Sequence, residues 1–413
     1  MRIVIWHGYL LGGTGSNVYT RSLAREWMRA GHDVTIVCQE RHTERYDVGG
    51  ARVIVPELPD GLLPVFVLDE YEGLEARLLQ DFTPAQREAY VEANAEALRA
   101  LDPVDVVFAN HVLLGAAVGR ASGLRYAVKA HGSELEYSMR GRPDLERWGA
   151  ESLAGAEVVF VGSEHIRAVL EDVVGHVDRV REVPPGVDLE EFAPEERAAA
   201  LAALIEEARH DPVDGDERHP DPGNAERFAA FFAEEAPTIV YVGKLIENKG
   251  VQVLFDALRD LDARAIVVGF GDYRTELEAF APDHVLFTGA LEHRHLVHLL
   301  PLADASVVPS VFPEAFGMVA AEAAAACVPP VVADHSGLAE VAAGIAAEYP
   351  PEFRHLTSFP TGDADALRDR LRALLELSPA ERRTLGSAAR RAVERNWSWT
   401  RVAERLLEPI ASG

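Results

Sequence analysis

Residues 309–322 read PSVFPEAFGMVAAE and carry two glutamates, Glu314 and Glu322, with seven residues between them. The preceding residues 304–310 (DASVVPS) are an apolar run of β-forming residues that ends in Pro and Ser, which predicts a buried strand of a parallel sheet. Residues 316–326 are rich in Ala and contain no Gly or Pro after position 317, which predicts a helix. We therefore expect Glu314 in a strand-to-helix loop and Glu322 about two turns along the helix.

The strand-to-helix loops of an open parallel α/β sheet lie at the carboxyl ends of the strands, where such sheets bind ligands. In that position Glu314 can accept hydrogen bonds from the hydroxyl groups of a sugar, and Glu322 can accept them from a ribose diol. The spacing also fits a simpler interpretation, a first-turn carboxylate and a solvated helix residue.

The sequence Glu314-Ala315-Phe316-Gly317 followed by Glu322 resembles the E-x7-E signature of the retaining glycosyltransferases of family 4 (glycosyl transferases group 1), which have the GT-B fold. The resemblance implies an α/β protein with two facing, doubly wound Rossmann-like domains and a cleft between them. It implies that residues 1–186, completed by a C-terminal helix at 396–413, form the acceptor-side domain, and that residues 187–395 bind the nucleotide-sugar donor. Phe316 and Gly317 belong to the expected donor site.

Length and composition agree with this class of protein. A chain of 413 residues exceeds the size of a single growing core, which favours two domains. No stretch approaches about 18 uninterrupted apolar residues, and residues 2–6 (RIVIW) are too short for a signal peptide, so we expect a cytoplasmic protein without stable membrane insertion. The net charge of −27 argues against a nucleic-acid partner.

Lysine is rare in this chain, and its positions indicate an anion site. Of the 40 Lys and Arg residues only three are Lys, and two of these, Lys244 and Lys249, lie within six residues. They follow a predicted strand at 238–242 and precede a predicted helix at 251–260, so two ammonium groups and a helix N-terminus can act on one diphosphate. The segment resembles the family's G-R/K-x5-K-G element, with Lys at the first position, where Arg is commoner.

A glycine-rich loop with Gly12, Gly13 and Gly15 lies between a predicted strand at 2–6 and a predicted helix at 17–30. Its backbone N–H groups can approach a phosphate or a sugar. The loop also invites interpretation as the cofactor loop of an NAD(P)-dependent Rossmann reductase, although the glycine register fails at Val18. In the glycosyltransferase family the equivalent glycines lie near the donor phosphates.

His131 follows a predicted strand at 125–130 and precedes Gly132, which places it at a carboxyl strand end. Single histidines in such positions are often merely packed. The strand-His-Gly context resembles the family's H-G turn, which implies a catalytic contact between His131 and the donor sugar.

No metal site is expected. Of His293, His295 and His298 only the last two share a helix face, and no carboxylate completes a ligand set, so we interpret all three as surface histidines. Residues 214–216 and 363–365 have the D-x-D pattern of metal-dependent transferases, but neither pair follows a hydrophobic strand. We interpret these aspartates as loop and helix-cap residues.

Other segments carry further predictions. Residues 69–80 and 84–101 are predicted to form an acidic helical region, and residues 157–162 are predicted to form the last strand of the first domain. The loop at 334–338 is expected close to the Glu314 loop. The acidic rim formed by the first of these segments, with Tyr71 among the carboxylates, favours a neutral polyol or an amino-bearing sugar as acceptor over an anionic lipid. Its carboxylates are Asp69, Glu70, Glu72 and Glu75.

Together these features predict glycosyl transfer from a UDP-, GDP- or ADP-sugar to a hydroxyl or amino-sugar acceptor, either a small molecule or a glycan. Lys244 and Lys249 would stabilise the leaving diphosphate, and no metal or other cofactor would be required. The resemblance implies retention, and we expect front-face transfer because no nucleophile is apparent. A GT-B sugar-nucleotide epimerase, an NAD(P)-dependent reductase and a non-catalytic sugar-binding protein remain alternatives. The donor, the acceptor and the oligomeric state stay open.

Overall fold

The structure is a computed structural model that describes residues 1–12, 15–66, 71, 73–101, 103–212 and 218–411. The chain forms two compact units. The first comprises Met1–Gly186 and the chain from Trp399 on, and the second comprises Val187–Ser398. None of the helices in the described ranges combines the length and the apolar character that a membrane span requires.

The first unit is built on a parallel sheet whose strands pair in the order β3-β2-β1-β6-β7-β8-β9. A separate parallel pair, β4 and β5, lies outside this sheet. In chain order the strands are β1 (Arg2–Trp6), β2 (Asp33–Val37), β3 (Arg52–Ile54), β4 (Leu62–Val65), β5 (Glu75–Leu78), β6 (Val106–Asn110), β7 (Tyr126–Lys129), β8 (Val159–Val161) and β9 (Val180–Glu182).

Helices cover both faces of this sheet, because the side chains of its central strands are apolar on both sides. In β1, Ile3 and Ile5 enter one core layer, and Val4 and Trp6 enter the other. The helices of the first 186 residues are α1 (Gly15–Arg29), α2 (Pro84–Arg99), α3 (Gly115–Ser122), α4 (Pro143–Leu153) and α5 (Glu164–Val174), with a π-helical turn at Glu134–Met139.

Two sequence predictions for this unit are wrong. Residues 75–78 form strand β5, not a helix, because Leu74, Ala76 and Leu78 recur at every second position and pack against the core. The strand at 157–162 is not the last of the sheet, since β9 follows it and pairs with β8. The short β9 carries two charged residues in three positions, so it has no apolar run that would predict a strand.

The second unit is also a parallel, doubly wound sheet, with strands in the order β12-β11-β10-β13-β14-β15. Its strands are β10 (Thr238–Val242), β11 (Arg264–Val268), β12 (Val285–Phe287), β13 (Ala305–Val308), β14 (Pro330–Ala333) and β15 (Ser358–Phe359). Its helices are α6 (Arg197–Arg209), α7 (Asn224–Phe231), α8 (Val251–Leu258), α9 (Arg274–Phe280), α10 (His293–Leu299), α11 (Met318–Ala325), α12 (Ser336–Glu348), α13 (Ala364–Leu375) and α14 (Pro379–Asn396).

The final helix, α15 (Trp399–Ala411), belongs to the first unit. It packs against α1, and its Ala403 carbonyl accepts a hydrogen bond of 3.1 Å from the indole N–H of Trp27. Ser398 still pairs with Val187 at the edge of the second unit. The chain therefore returns to the first unit at residue 399, three positions later than the sequence boundary at 396.

Candidate active site

The sheet of the second unit reverses its strand order between β10 and β13, which are hydrogen-bonded neighbours. From β10 the chain proceeds outward to β11 and β12, and then returns to the other side of β10 with β13. A crevice forms at the carboxyl ends of two such strands, because the connections that follow them leave in opposite directions. The loops after β10 and β13 carry the Lys244–Lys249 segment and the Glu314 segment, so the strand order itself brings the two motifs together.

Close backbone packing holds these two loops against each other. Gly250 has a φ of 71°, and a Cβ atom at this position would lie only 2.0 Å from the carbonyl oxygen of Pro309. The N–H group of Val311 donates to the carbonyl of Asn248 over 3.0 Å. Glycine at position 250 is thus required for the approach of the lysine loop to the loop after β13.

Lys249 and Glu314 form an ion pair at this crevice, with 2.5 Å between Nζ and Oε1. Both side chains are partly buried, which strengthens their interaction relative to a pair in open water. Lys244 is exposed, and in the part of the chain that the structure describes its ammonium group has no ion-pair partner. The crevice thus holds one paired and one unpaired lysine.

The Glu314 loop contacts the start of α12, which confirms the expected proximity of residues 334–338. The N–H group of Glu314 donates to Ser336 Oγ over 2.9 Å, and the N–H group of Gly337 donates to the carbonyl of Glu314 over 3.0 Å. A Cβ atom on Gly337 would lie 2.6 Å from the carbonyl oxygen of Ala315, so this approach also depends on glycine.

Phe316 and Gly317 anchor the loop on its other side. The Phe316 ring is buried and meets Trp397 edge to face, with 5.6 Å between the ring centroids. Because the ring packs in the core, only the backbone of Phe316 is available to a ligand. Gly317 has a φ of 130° and precedes α11.

Glu322 lies about one turn into α11, not two, because the helix begins at Met318 rather than at Phe316. Burial raises the pKa of Glu322 to about 7, and the positive charge of nearby His293 acts in the opposite direction. The carboxyl group is therefore divided between its neutral and ionised forms near neutral pH.

His131 lies in the first unit, two residues after the end of β7, at the carboxyl edge of that sheet. Its Nε2 lies 2.8 Å from Asn110 Oδ1, and its ring meets Tyr19 edge to face at 5.4 Å. Burial, together with electrostatic repulsion from nearby His111 and Lys129, lowers the pKa of His131 well below its usual value. The imidazole is therefore neutral at physiological pH and can both donate and accept a hydrogen bond.

Further buried polar residues surround His131, and the sequence search missed them. His7 follows β1 and His111 follows β6, the two strands at which the order of the first sheet reverses. The His111 ring lies 4.7 Å from His131 and 6.2 Å from His7. The buried carboxylate of Glu134 accepts from the His131 N–H group over 3.0 Å and faces His111 Nδ1 at 3.2 Å. The sequence signal that His7 and His111 share is a polar residue directly after the end of a strand.

The glycine loop of the first unit is described only in part. Gly12 accepts a hydrogen bond from the side-chain amide of Asn17 through its carbonyl, and Gly15 is the first residue of α1. A Cβ atom on Gly12 would lie 2.4 Å from the Tyr46 hydroxyl oxygen. Gly13 lies outside the described residues, so the prediction of a phosphate contact there stays a prediction.

The three histidines of α10 are each paired with a carboxylate. His293 Nε2 lies 2.6 Å from Glu191, and His298 Nδ1 lies 2.8 Å from Glu195. His295 is fully buried against Asp211, so its interpretation as a surface residue is wrong. Among the described residues, no group of three or more His, Cys, Asp or Glu side chains is arranged to hold a metal ion.

Of the two D-x-D patterns and the acidic segment at 69–75, the structure tests only the D-x-D pattern at 363–365. Asp363 caps α13 by accepting from the Ala366 N–H group over 2.9 Å, which confirms the cap interpretation. The D-x-D pattern at 214–216 lies outside the described residues. So do Asp69, Glu70 and Glu72, and the prediction of an acidic acceptor rim therefore stays a prediction.

Family comparisons match both halves of the chain. The family described as "Glycosyltransferase Family 4" matches residues 13–191, and the family described as "Glycosyl transferases group 1" matches residues 223–392. Both are families of glycosyltransferases, so the matches do not favour the reductase or the epimerase. These matches confirm the resemblance carried by the two glutamates and the lysine segment.

Relatives of known activity are similar over most of the chain. A D-inositol 3-phosphate glycosyltransferase of Xylanimonas cellulosilytica is 29% identical, covering 96% of this chain and 91% of its own length. A GDP-mannose-dependent monoacylated alpha-(1-6)-phosphatidylinositol monomannoside mannosyltransferase of Corynebacterium glutamicum is 26% identical over 78% of this chain and 79% of its own length.

Solved structures agree on the fold. Anabaena HepE in complex with UDP has a TM-score of 0.70 at 16% identity and covers all of both chains. The sucrose-phosphate synthase of Thermosynechococcus elongatus has a TM-score of 0.69 at 20% identity, covering 100% of this chain and 98% of its own. The two Rossmann-like units thus form the GT-B fold, and the chain is a glycosyltransferase that belongs to family 4, glycosyl transferases group 1.

Proposed function

We propose that the protein transfers a sugar from a nucleotide-diphosphate sugar to a hydroxyl or amino-sugar acceptor, with retention of the anomeric configuration. The observation that carries this proposal is the meeting of Lys249 and Glu314, 2.5 Å apart at the crevice of the second sheet. A cation for the diphosphate and a carboxylate for the sugar hydroxyls then lie side by side. This is the arrangement that a glycosyl diphosphate requires, because its charged and hydroxylated parts are covalently joined.

Departure of the diphosphate is the step that needs most stabilisation, since negative charge develops on the leaving oxygen. We assign this role to the ammonium groups of the partly buried Lys249 and the exposed Lys244, which act electrostatically on the leaving diphosphate. With two cations available, the proposed reaction requires no metal ion. Gly12, Gly13 and Gly15 are assigned backbone contacts with the donor phosphates.

The sugar and the ribose have separate partners in this proposal. Glu314 accepts hydrogen bonds from the sugar hydroxyls, and the backbone of Phe316 and Gly317 lines the same loop. Glu322 accepts from the ribose diol in its ionised form. His131 is assigned a contact with the donor sugar as a neutral imidazole, in keeping with its lowered pKa.

The bond changes follow a front-face path. The acceptor oxygen forms a new bond to the anomeric carbon on the face from which the diphosphate leaves. The bond from the anomeric carbon to the diphosphate breaks with its electron pair on the diphosphate oxygen, which then receives the acceptor proton. No covalent glycosyl-enzyme is formed, and the anomeric configuration is kept.

The relatives' names narrow the first donors to test. The mannosyltransferase relative is GDP-mannose-dependent, so GDP-mannose is the first candidate, ahead of UDP-glucose and ADP-glucose. Acceptors that carry an inositol phosphate group are likewise candidates, from the names of the relatives. They are anionic, whereas the acidic segment at 69–75 favours a neutral polyol or an amino sugar.

A thermal-shift screen of the three donors, followed by turnover with each acceptor class, tests the proposal. We expect one donor to raise Tm and to yield a glycosylated acceptor whose anomeric configuration, read from the one-bond C1–H1 coupling, is that of the donor. Release of nucleoside diphosphate with a free, altered sugar would favour an epimerase. Inversion at the anomeric carbon would overturn the front-face path.

A further inference from the structure

Ser336 has an unusual backbone conformation at the edge of the candidate active site. Its φ is 48°, in the left-handed region that costs a non-glycine residue about 1–3 kcal/mol. Within the described part of the second unit, Cys327 is the other non-glycine residue with a positive φ. A glycine at position 336 would adopt this conformation without that cost. We therefore expect the serine side chain to make an interaction that offsets this cost.

The hydroxyl group of Ser336 holds the backbone of Glu314. Ser336 Oγ accepts the N–H group of Glu314 over 2.9 Å, and the next residue, Gly337, donates its N–H group to the Glu314 carbonyl over 3.0 Å. Both backbone polar groups of Glu314 are thus bonded to the first turn of α12. Because α12 is a 13-residue helix packed in the core, this clamp is rigid.

His335 orients the hydroxyl group and ties the clamp to the start of the same loop. Its Nε2 lies 2.7 Å from the carbonyl oxygen of Ser310, which can only accept, so Nε2 carries a hydrogen. In the neutral ring Nδ1 is then an acceptor, and it lies 2.9 Å from Ser336 Oγ. The hydroxyl therefore donates to His335 and presents a lone pair to Glu314.

We propose that Ser336 and His335 are positioning residues that hold the Glu314 carboxylate at the place where the donor sugar reacts. This inference rests on the proposed function of Glu314. The two residues act through the backbone of the loop and do not themselves touch the sugar. Their loss lowers kcat, while the affinity for nucleoside diphosphate stays the same or increases, because a displaced Glu314 carboxylate competes less for Lys249.

Replacement of Ser336 by Gly and by Ala tests the clamp. Ser336→Gly removes the hydroxyl and also relieves the positive φ, so Tm is expected to stay the same or rise. A displacement of about 1 Å at a reacting group costs up to about 100-fold in rate, and we expect both variants to lose 10- to 100-fold in kcat. Cys327→Gly is the matched control, because it relieves a positive φ of 62° without removing a clamp hydroxyl. Its kcat should match that of the wild type.

Two variants of His335 separate its two hydrogen bonds. Asn places an amide oxygen near the position of Nδ1, and Gln places an amide nitrogen near that of Nε2. Since the Ser336 bond carries the clamp, His335→Asn should retain more kcat than His335→Gln. The reverse order would overturn the part assigned to Ser336.

A parallel measurement on Glu314→Gln keeps the two proposals distinguishable. If Glu314→Gln is inactive while Ser336→Gly turns over like the wild type, the positioning inference fails and the proposed function of Glu314 stands. If Glu314→Gln itself turns over like the wild type, the proposed function fails. Loss of kcat in Ser336→Gly, with neither Tm nor nucleoside diphosphate affinity diminished, supports both.

Discussion

The ammonium nitrogen of Lys249 lies 2.5 Å from a carboxylate oxygen of Glu314, although 65 positions separate the two residues in the chain. Each follows one of the two strands at which the second sheet reverses its order. In the proposed reaction a donor diphosphate competes with Glu314 for Lys249. The sugar hydroxyls then donate hydrogen bonds to the released carboxylate. The ion pair thus couples recognition of the two parts of the donor.

Replacement of Glu314 by Gln is expected to abolish transfer while preserving nucleotide binding. The amide is nearly isosteric with the carboxylate but carries no charge, so Lys249 loses its competing partner. The affinity for nucleoside diphosphate should stay the same or increase, while kcat should fall by about 100-fold or more, as when one preorganised polar group is removed from an active site. Calorimetry and turnover measure the two effects, and turnover at the wild-type rate would contradict the assignment.

Replacement of Lys249 by Ala is expected to weaken nucleoside diphosphate binding by about 1.5–3 kcal/mol, the usual contribution of a charge-assisted hydrogen bond. The change also leaves the Glu314 carboxylate unpaired beside the diphosphate. Lys244→Arg should be mild, because a guanidinium group keeps the charge at that exposed position. Arg259→Ala, at the other end of α8, serves as control. Equal affinities of Lys249→Ala and the wild type in calorimetry would refute the diphosphate site.

Turnover is expected to survive treatment with EDTA. In the proposed reaction the negative charge on the leaving diphosphate is met by two lysines, so removal of divalent cations leaves the stabilising groups in place. The measurement is the initial rate after dialysis against EDTA, with and without added Mg²⁺ or Mn²⁺. An activity that disappears and returns only with the added metal would show that a cation takes part.

Glu322 is expected to make the stability of the protein depend on pH. Burial raises its pKa from 4.5 to about 7, so between these values the folded protein binds more protons than the unfolded chain. The free energy of unfolding therefore decreases as pH rises through this window, by at most about 3.5 kcal/mol. Glu322→Gln removes this penalty and should have a higher Tm than the wild type at pH 8 but not at pH 4.5.

The exposed Glu276 on α9 provides the matched control for this titration. Glu276→Gln removes a carboxylate from the same unit that is exposed, whereas Glu322 is half-buried, so its Tm should follow that of the wild type at both pH values. If Glu322→Gln differed from the wild type equally at pH 4.5 and pH 8, the ionisation of Glu322 would not be the cause.

The alternation of strands and helices, and the motifs that end the strands, follow from local residue patterns. The apolar run at 238–242 is a strand because Val and Ile buried on both faces favour a parallel sheet, and the structure has β10 with the same bounds. Lys249 and Glu314 were found because their loops carry short local patterns. Local patterns failed at residues 75–78, where a half-buried strand carries Glu75 and Arg77 among its apolar residues.

Long-range contacts in the fold determine which of these loops meet. Strand order is a property of pairings between distant segments, and no local pattern encodes that β10 lies beside β13 or that α12 begins against Glu314. The same holds for ionisation, because the raised pKa of Glu322 and the lowered pKa of His131 arise from burial by residues far away in the chain. The sequence thus specifies which chemical group stands at each position. The fold sets the partners of that group, and through burial and these partners it sets the charge state.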